Sequence, residues 1–384
     1  MLLGRVPVAP WLVGAMRPPR GPRPGSEAAA LVSAGHRSVA AMRFSPGSAK
    51  ASWAASAHEA AAKRARASTE ATSSSAAGVS AEDAVRVHEW GGGALLPARL
   101  VRRYKRFLAD CVLLEDDWET PMTPSTAHVG RGETPKGGEG QVTVHCPNPG
   151  AMLGMLHPTE QRSTEGSGAV ADGLDGQLCR LSMAKGKGRK LPLTLEQLRV
   201  PVAGSPTGQT QWIGCNTQLA NSVVATCLER GLLLDKIGPF DSFRREVVYG
   251  REGRSRVDFV LSRSSAGLGD LYVEVKNVTY IDGGLALFPD CVSKRATKHL
   301  DDLMHVSSDG QADAAVIFFV NAGDLDGGAG SVTGFAPAVA CDPTYASRYW
   351  EAVAAGVKMI APKFAIDPAT GDVCFVGYAE PTAG

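Results

Sequence analysis

Two strand-like runs in the C-terminal half constrain the fold of this chain most. Residues 254–261 read RSRVDFVL and residues 271–278 read LYVEVKNV, and both are rich in the β-branched and aromatic residues that strands favour. The polar, glycine-containing residues 262–270 lie between them, which is typical of the connection in a β-hairpin. The sequence therefore predicts two neighbouring antiparallel strands.

Charged side chains interrupt both runs. Because side chains alternate along a strand, Glu274 and Lys276 share one face, and Asp258 shares a face of the other strand with Arg256 and Val260. Two carboxylates beside an ammonium group indicate a divalent-metal site with a neighbouring cation. A solvent-facing ion pair is the alternative that the Glu-x-Lys pattern alone leaves open.

The elements around the hairpin follow a recognisable order. Apolar residues recur every three or four positions over 219–232 and again over 293–306, which predicts an amphipathic helix in each segment. The first helix is expected to end at Gly231. A strand is predicted at 246–250, and the continuous apolar run 314–320 predicts a strand buried on both faces. The resulting order is α-β-β-β-α-β.

A basic and aromatic stretch marks the N-terminal half. Residues 95–114 have β character and are expected to form one strand with six consecutive basic or aromatic residues, namely Arg102, Arg103, Tyr104, Lys105, Arg106 and Phe107. On such a strand, Arg102, Tyr104 and Arg106 share a face. Cations for phosphates next to aromatics for bases suit a single-stranded nucleic-acid groove. An edge strand protected by its charges is the open alternative.

Further short strands follow, separated by two long polar, glycine-rich insertions. Strands are expected at 141–147 and 179–184, and the cation-rich segment 185–192 contains Arg189 and Lys190, which are candidates for phosphate contacts or a solvated turn. Short strands joined by long loops are typical of a small OB-like β-barrel.

The first 90 residues differ in composition from the rest of the chain. They are rich in Ala, Ser, Gly and Pro without periodic apolar spacing, and residues 1–58 contain seven basic residues against one acid, Glu27. This composition is typical of a transit peptide for a plastid or mitochondrion. A disordered extension on a cytoplasmic protein is the alternative.

Composition limits the remaining classes. The chain has 384 residues, 44% of them hydrophobic, which is enough for two domains with their own cores. No stretch of about 18 or more apolar residues occurs, so we expect neither a membrane-spanning helix nor a membrane partner. None of the eight cysteines forms a CxxC pair, which favours buried, reduced thiols.

These motifs together resemble a known family. The order α-β-β-β-α-β, with Asp on the second strand and Glu-x-Lys on the third, resembles the PD-(D/E)xK restriction-endonuclease-like superfamily. The ordered motifs RRYKRFLADC, HCPNPGAM, GCNTQLAN, RREVVYG, RSRVDFVL and VEVKNVT resemble the sugar fermentation stimulation protein A family over residues 95–362.

The resemblance implies an α+β protein with three parts. Residues 1–90 are the disordered extension, residues 91–210 form an OB-like barrel with two loop insertions, and residues 211–384 form a PD-(D/E)xK nuclease-like domain. It also implies DNA binding without marked sequence preference, with RNA as a possible partner, and a role in regulating sugar metabolism.

The resemblance further implies roles for the charged residues. Asp258 and Glu274, with the backbone carbonyl of Val275, would hold Mg²⁺ or Mn²⁺, and Lys276 would orient the attacking water. Further candidate contacts or neighbours are Arg254, Arg256, Lys298, Glu246 and His299. A metal-dependent nuclease is therefore one hypothesis, a DNA-binding protein that does not cleave is another, and a non-enzymatic interaction module is the third.

Overall fold

The structure is a computed structural model. It describes residues 83–90, 95–116, 118, 141–156, 176–184, 189–203, 205, 208–250, 253, 255–308, 310, 312–326 and 332–382. Most of the predicted transit peptide and most of the two insertions lie outside these residues. The first described strand, β1 (Val85–His88), lies within the extension that we expected to be disordered. That prediction was wrong at its end, because β1 pairs with a strand almost 300 residues later, which local composition does not reveal.

The N-terminal part forms a small closed barrel. Its strands are β2 (Leu96–Tyr104), β3 (Leu108–Leu113), β4 (Gln141–His145), β5 (Gln177–Met183) and β6 (Leu193–Pro201). Pairing runs β2–β3–β4–β6–β5 and returns to β2, and only the β4–β6 contact is parallel. Small and aliphatic side chains such as Ala98, Leu100, Cys111 and Leu181 fill its interior. The predicted OB-like barrel is confirmed.

The basic stretch at the start of the barrel is a hairpin and not the single strand predicted over 95–114. Lys105 and Arg106 have φ angles of 48° and 62°, and Tyr104 pairs with Leu108 across the turn. Two consecutive left-handed residues reverse the chain with the twist that hairpins prefer. The sequence hides this turn because it has Lys-Arg where Asn-Gly is the common signal.

The barrel leads into the first helix through β7 (Thr210–Gly214). Helix α1 (Thr217–Glu229) begins at Asn216, whose side chain accepts the backbone N–H of Gln218, and it is followed by the short helix α2 (Leu234–Ile237). Gly231 has a φ of 66°, and the Leu232 N–H bonds back to the carbonyl of Cys227. Gly231 thus ends the helix as predicted, because glycine adopts the left-handed conformation without strain.

The remaining elements form the C-terminal part. They are β8 (Ser242–Tyr249), β9 (Ser255–Ser262), β10 (Leu271–Val278), β11 (Tyr280–Asp282), β12 (Leu285–Phe288), α3 (Lys294–Ser308), β13 (Asp313–Asp324), β14 (Gly334–Pro337), α4 (Pro343–Ala354), β15 (Lys358–Ile360), β16 (Pro362–Ile366), β17 (Val373–Tyr378) and β18 (Glu380–Pro381). The predicted order from α1 to β13 is confirmed.

The main C-terminal sheet runs β8–β9–β10–β13–β16–β17–β1. Strands β10, β13 and β16 are parallel, and β13 is buried over nearly its whole length. Helix α1 packs on the face that carries Val273 and Val275, and α3 and α4 pack on the opposite face. Strands β11, β12, β14 and β18 form a second, small sheet. This arrangement places the carboxylates between helices on both sides.

A buried cation joins the barrel to the C-terminal part. The guanidinium of Arg180 lies 4.0 Å from the ring centre of Trp212 and 5.4 Å from that of Trp118. It donates hydrogen bonds to Gln197 and to the backbone carbonyl of Pro368. Burial lowers the pKa of Arg180 to about 10. Planar stacking with fixed donors is a role that arginine fills and lysine does not.

The structure bears on the expectations about cysteines and about membrane-spanning helices. The eight cysteines are free thiols, and six of them are buried. Among the helices of the described residues, none is long and apolar enough to cross a membrane.

Candidate metal centre and basic surfaces

The candidate centre lies where β9 and β10 separate. These strands pair only through Leu271–Leu261, Tyr272–Val260 and Val273–Phe259, although the register, if continued, would place Glu274 opposite Asp258. Beyond the last pair, Asp258 Oδ2 accepts the backbone N–H of Val275 at 2.7 Å. A carboxylate thus replaces the carbonyl of a neighbouring strand and opens the sheet at this point.

The second oxygen of Asp258 is held from the other direction. Asn221 on α1 donates its amide Nδ2 to Asp258 Oδ1 at 2.7 Å. Asn221 is the last residue of the GCNTQLAN motif, and Asn216 of the same motif caps the helix that carries it. Both oxygens therefore have a fixed direction, and each retains a lone pair for a further partner.

Glu274 and Lys276 meet on one face of β10, as the alternation predicts. Lys276 Nζ lies 2.6 Å from Glu274 Oε1, and the two side chains are only 13% and 5% exposed. This excludes the solvent-facing ion pair. The desolvation penalty of a buried ion pair is offset only when further hydrogen bonds satisfy its remaining donors and acceptors.

His299 on α3 supplies such a hydrogen bond. Its Nδ1 contacts the same Glu274 oxygen, and Arg295 Nε lies 3.4 Å from its Nε2. In the tautomer that carries its proton on Nδ1, the ring donates to Glu274 while Nε2 accepts from Arg295. His299 fixes the orientation of the carboxylate.

The two carboxylates have opposite electrostatic environments. Burial, and then the charge of Glu274, raise the pKa of Asp258 to about 6. Burial alone would raise the pKa of Glu274 as well, but Lys276 and His299 outweigh it, and the net pKa is lowered. The two pKa values therefore move apart, that of Glu274 below its ordinary value and that of Asp258 above it.

The donor set fits a hard divalent cation. Glu274 Oε2 is buried and has no hydrogen-bond partner among the residues that the structure describes. Oxygen ligands of this kind are those that Mg²⁺ and Mn²⁺ prefer, and Mg²⁺ usually keeps several waters. Within the described part of the chain, no group of three or more His, Cys, Asp or Glu side chains is placed around a common point. The backbone carbonyl of Val275 is the third protein ligand expected from the sequence.

A basic surface lies at the β2–β3 turn of the barrel. Lys105 and Arg106 are exposed, and Phe107 is 46% exposed while its ring stacks on His145 at 6.5 Å. Burial, and then the nearby Arg189, lower the pKa of His145. Arg189 therefore lies near His145, and the exposed Lys190 follows it in the chain.

Arg103 does not belong to this surface, which corrects the prediction that it contacts nucleic acid. It is buried, and its guanidinium donates to the backbone carbonyls of Arg106, Asn148 and Gly150. These bonds fix the HCPNPGAM loop against the turn. Arg103 is part of β2 and pairs with Ala109, and the register shift between Leu100 and Arg102 places its side chain on the buried side, which the sequence does not reveal.

Arg102 and Tyr104 form a separate cluster around a buried acid. Arg102 Nε lies 2.8 Å from Asp110 Oδ2, its guanidinium lies over the Tyr104 ring at 4.9 Å, and the Tyr104 hydroxyl donates to Asp110 at 3.0 Å. The Arg102 side chain is still 45% exposed. Because the charge of Arg102 is already paired with Asp110, this residue is a weaker candidate for a phosphate contact than Lys105 or Arg106.

The three basic residues predicted to contact nucleic acid near the metal centre differ in their surroundings. Arg256 is exposed, with Glu246 4.0 Å away. Lys298 Nζ bonds Asp302 at 2.7 Å and Ser255 at 2.6 Å, which ties α3 to the start of β9. Arg254 lies outside the described residues.

Sequence reasoning missed two parts of this site and undervalued a third. Asn221 and Arg295 did not stand out, and His299 was named only as a neighbour. A signal existed on α3, where Arg295 and His299 are four positions apart and so share a helix face. No comparable local pattern links Asn221 to Asp258, because the link is a contact between a helix and a strand.

Fold and site together define a class of protein: an OB-like barrel followed by a restriction-endonuclease-like domain with a pair of carboxylates where two strands part. Two family models match the chain accordingly. One, described as the SfsA N-terminal OB domain, matches residues 101–162, and the other, described as the sugar fermentation stimulation protein RE domain, matches residues 218–370.

Similar proteins agree with these models. The sugar fermentation stimulation protein homolog of Picosynechococcus sp. is 34% identical over 285 residues, which cover 74% of this chain and 90% of the relative. That of Pelobacter propionicus is 38% identical over 275 residues, covering 71% and 92%. The chain belongs to the sugar fermentation stimulation protein (SfsA) family.

A solved structure shares the fold. SfsA of Pyrococcus furiosus, determined in complex with Ca²⁺, matches with a TM-score of 0.54 over 78% of this chain and 99% of the archaeal one. The two sequences are 20% identical. At this sequence identity the match shows that the two proteins share a fold.

Proposed function

We propose that this protein binds DNA with low sequence specificity and that the β2–β3 turn of its barrel is a principal contact. The observation that carries this proposal is the exposed trio Lys105, Arg106 and Phe107, which presents two cations beside an accessible aromatic ring. Cations bind phosphates of any sequence, and an aromatic ring stacks on any base. Neither contact distinguishes one base from another.

The same surface is compatible with RNA, because phosphates and base faces are common to both nucleic acids. DNA is the preferred partner, since the resemblance to the family implies it. A role in regulating sugar metabolism, which the family name suggests, would use these same contacts.

Binding can be tested by fluorescence anisotropy with the full chain. Labelled single-stranded DNA, double-stranded DNA and RNA of matched length are titrated at several salt concentrations. We expect affinity to fall steeply with salt, because each phosphate contact releases a counterion. An affinity that does not change with salt would contradict the proposal, and tighter binding to RNA would assign the surface to RNA.

As a second function we propose divalent-cation-dependent cleavage of phosphodiester bonds at the metal centre. The observation that favours it is the pair Asp258 and Glu274, with Glu274 Oε2 buried and unpartnered. The reported Ca²⁺ complex of the Pyrococcus furiosus relative supports a site for a hard divalent cation in this fold. When bound, such a cation would polarise the phosphate and make a water molecule more acidic.

The residues of this chain would divide the remaining work. Asp258 and Glu274 would hold the cation, and the ammonium of Lys276 would stabilise negative charge that develops on the phosphate. His299 keeps Glu274 in its orientation, and Asn221 does the same for Asp258. Above pH 6 Asp258 is ionised, so the cation site is complete at neutral pH.

Cleavage is tested with the full chain, Mg²⁺ or Mn²⁺, and plasmid, single-stranded DNA and RNA as substrates. We expect cleavage of at least one substrate, loss of it on chelation, and loss of it in Lys276→Met. Lys358→Met is the matched control, because Lys358 is an exposed lysine on β15 with no part in either proposed site. If no substrate is cut, or if Lys276→Met cuts normally, the site is not a nuclease centre.

A further inference from the structure

Tyr249 is a buried tyrosine whose hydroxyl lacks a protein partner. It is the last residue of β8 and is only 6% exposed. Its hydroxyl oxygen is fully buried, with no hydrogen-bond partner among the residues that the structure describes. An unsatisfied buried hydroxyl is destabilising, so we expect it to bond a partner that is not part of the protein.

The surroundings of this hydroxyl are those of the metal centre. The Tyr249 ring packs against Tyr272 with ring centres 5.9 Å apart, and Tyr272 lies two residues before Glu274 on the same face of β10. Across the ladder Tyr249 pairs with Ser255, which bonds Asp302. Burial, and then the charges of Glu274, Asp302 and Asp258, raise the pKa of Tyr249, so this buried hydroxyl lies within the electric field of the three carboxylates.

A complementary atom is unpartnered in the same place. Glu274 Oε2 can only accept, and the Tyr249 hydroxyl can donate, yet the two do not bond each other. A water molecule can accept from the hydroxyl and still donate to two carboxylates. Ordered buried waters occur where two to four polar partners surround them.

We propose that Tyr249 is a positioning residue whose hydroxyl holds a water molecule against Glu274 and Asp258. The inference rests on the proposed hydrolytic function, for which a water with a fixed direction beside the carboxylates is the required reactant. Tyr249 itself does not touch the phosphate. Its part is to limit the orientations that this water can adopt.

Tyr349 on α4 provides a matched comparison. It is buried, and its ring packs on Phe318 with ring centres 6.0 Å apart. Burial alone raises the pKa of Tyr349 to about 12, with no contribution from a carboxylate. A Tyr349→Phe substitution therefore removes a hydroxyl from a buried aromatic environment, but away from the carboxylates that would hold the water.

The test uses the full chain and Mn²⁺ as the probe. Mn²⁺ affinity is measured by calorimetry, and the waters around bound Mn²⁺ are followed by water-proton relaxation. We expect Tyr249→Phe to weaken Mn²⁺ binding about 10-fold, as loss of an outer hydrogen-bond partner does, and to change the relaxation. Tyr349→Phe should leave both unchanged. Where cleavage is detected, Tyr249→Phe should lower kcat and leave KM for nucleic acid unchanged.

The outcomes separate the two proposals. If the unsubstituted chain binds no Mn²⁺, the proposed cleavage function fails and this inference fails with it. If it binds Mn²⁺ and Tyr249→Phe binds with the same affinity and relaxation, the inference alone is overturned. The same holds if Tyr249→Phe unfolds at a much lower temperature, since the retained ring should preserve packing and the effect would then be structural.

Discussion

Asp258 Oδ2 accepts the backbone N–H of Val275 at 2.7 Å, just past the last paired residues of β9 and β10. A side chain here takes over the bond that a neighbouring strand would otherwise make. The two strands can therefore separate without leaving this buried backbone donor unsatisfied. The Asp258 carboxylate therefore lies in the opening of the sheet and also makes that opening possible.

The raised pKa of Asp258 predicts a stability change with pH. Between about pH 4 and pH 6 the folded chain carries a proton on Asp258 that the unfolded chain has lost, so this residue makes the fold more stable as pH falls through that window. Asp258→Asn should raise the free energy of unfolding by up to about 3 kcal/mol at pH 8 and by nearly nothing at pH 4. Chemical denaturation without metal, at both pH values, measures this.

The control for this prediction is Asp270→Asn on the turn of the same hairpin. Asp270 forms an exposed ion pair with Arg244 at 3.4 Å, so its replacement should change stability little at either pH. A stability gain of Asp258→Asn that is equal at pH 4 and pH 8 would contradict the electrostatic explanation. Asp258→Asn should also abolish any stabilisation by Mg²⁺.

Lys276→Gln tests the buried ion pair. Its removal leaves Glu274 charged in the interior with His299 as its remaining partner, so we expect a loss of about 3–5 kcal/mol in the free energy of unfolding at pH 7. Arg244→Gln removes an exposed pair and should cost less than about 1 kcal/mol. Urea denaturation compares the two, and equal losses would show that the Lys276 pair is solvated.

Arg180→Lys tests the connection between barrel and C-terminal part. Lysine keeps the charge but loses the planar stack on Trp212 and the forked donation to Gln197 and Pro368. We expect a loss of about 2–4 kcal/mol, of the size found when a buried hydrogen-bonded group loses its partners. Thermal unfolding followed by tryptophan fluorescence checks it, and an unchanged transition would mean that the stack is not stabilising.

A double substitution at the β2–β3 turn tests the DNA contact. Asparagine tolerates left-handed backbone angles, so Lys105→Asn with Arg106→Asn keeps the turn while removing both charges. We expect DNA affinity to fall about 10-fold or more at low salt, and the slope of log affinity against log salt to decrease by about two. Arg348→Gln, an exposed cation on α4 paired with Asp301, is the control and should bind normally.

Periodicity along the chain was sufficient for the parts of the fold that depend on neighbours in sequence. The alternation of side chains placed Glu274 and Lys276 on one face, and helical spacing located α1 and α3. The same reasoning did not show that Arg103 is buried, since a register shift within β2 and a three-residue turn without Asn or Gly interrupt the predicted single strand. The family resemblance was needed to connect the two halves to known folds.

The sequence by itself determined the order of elements, the shared face of Glu274 and Lys276, and the presence of an unusually charged hairpin, because these follow from the geometry of a single strand or helix. The contacts of Asn221 with Asp258 and of His299 with Glu274, and the burial of Tyr249 against Tyr272 with an unpartnered hydroxyl, are visible only in the tertiary structure. Those contacts join residues from separate helices and strands. Their positions depend on packing of the whole sheet between its helices, which no local pattern specifies.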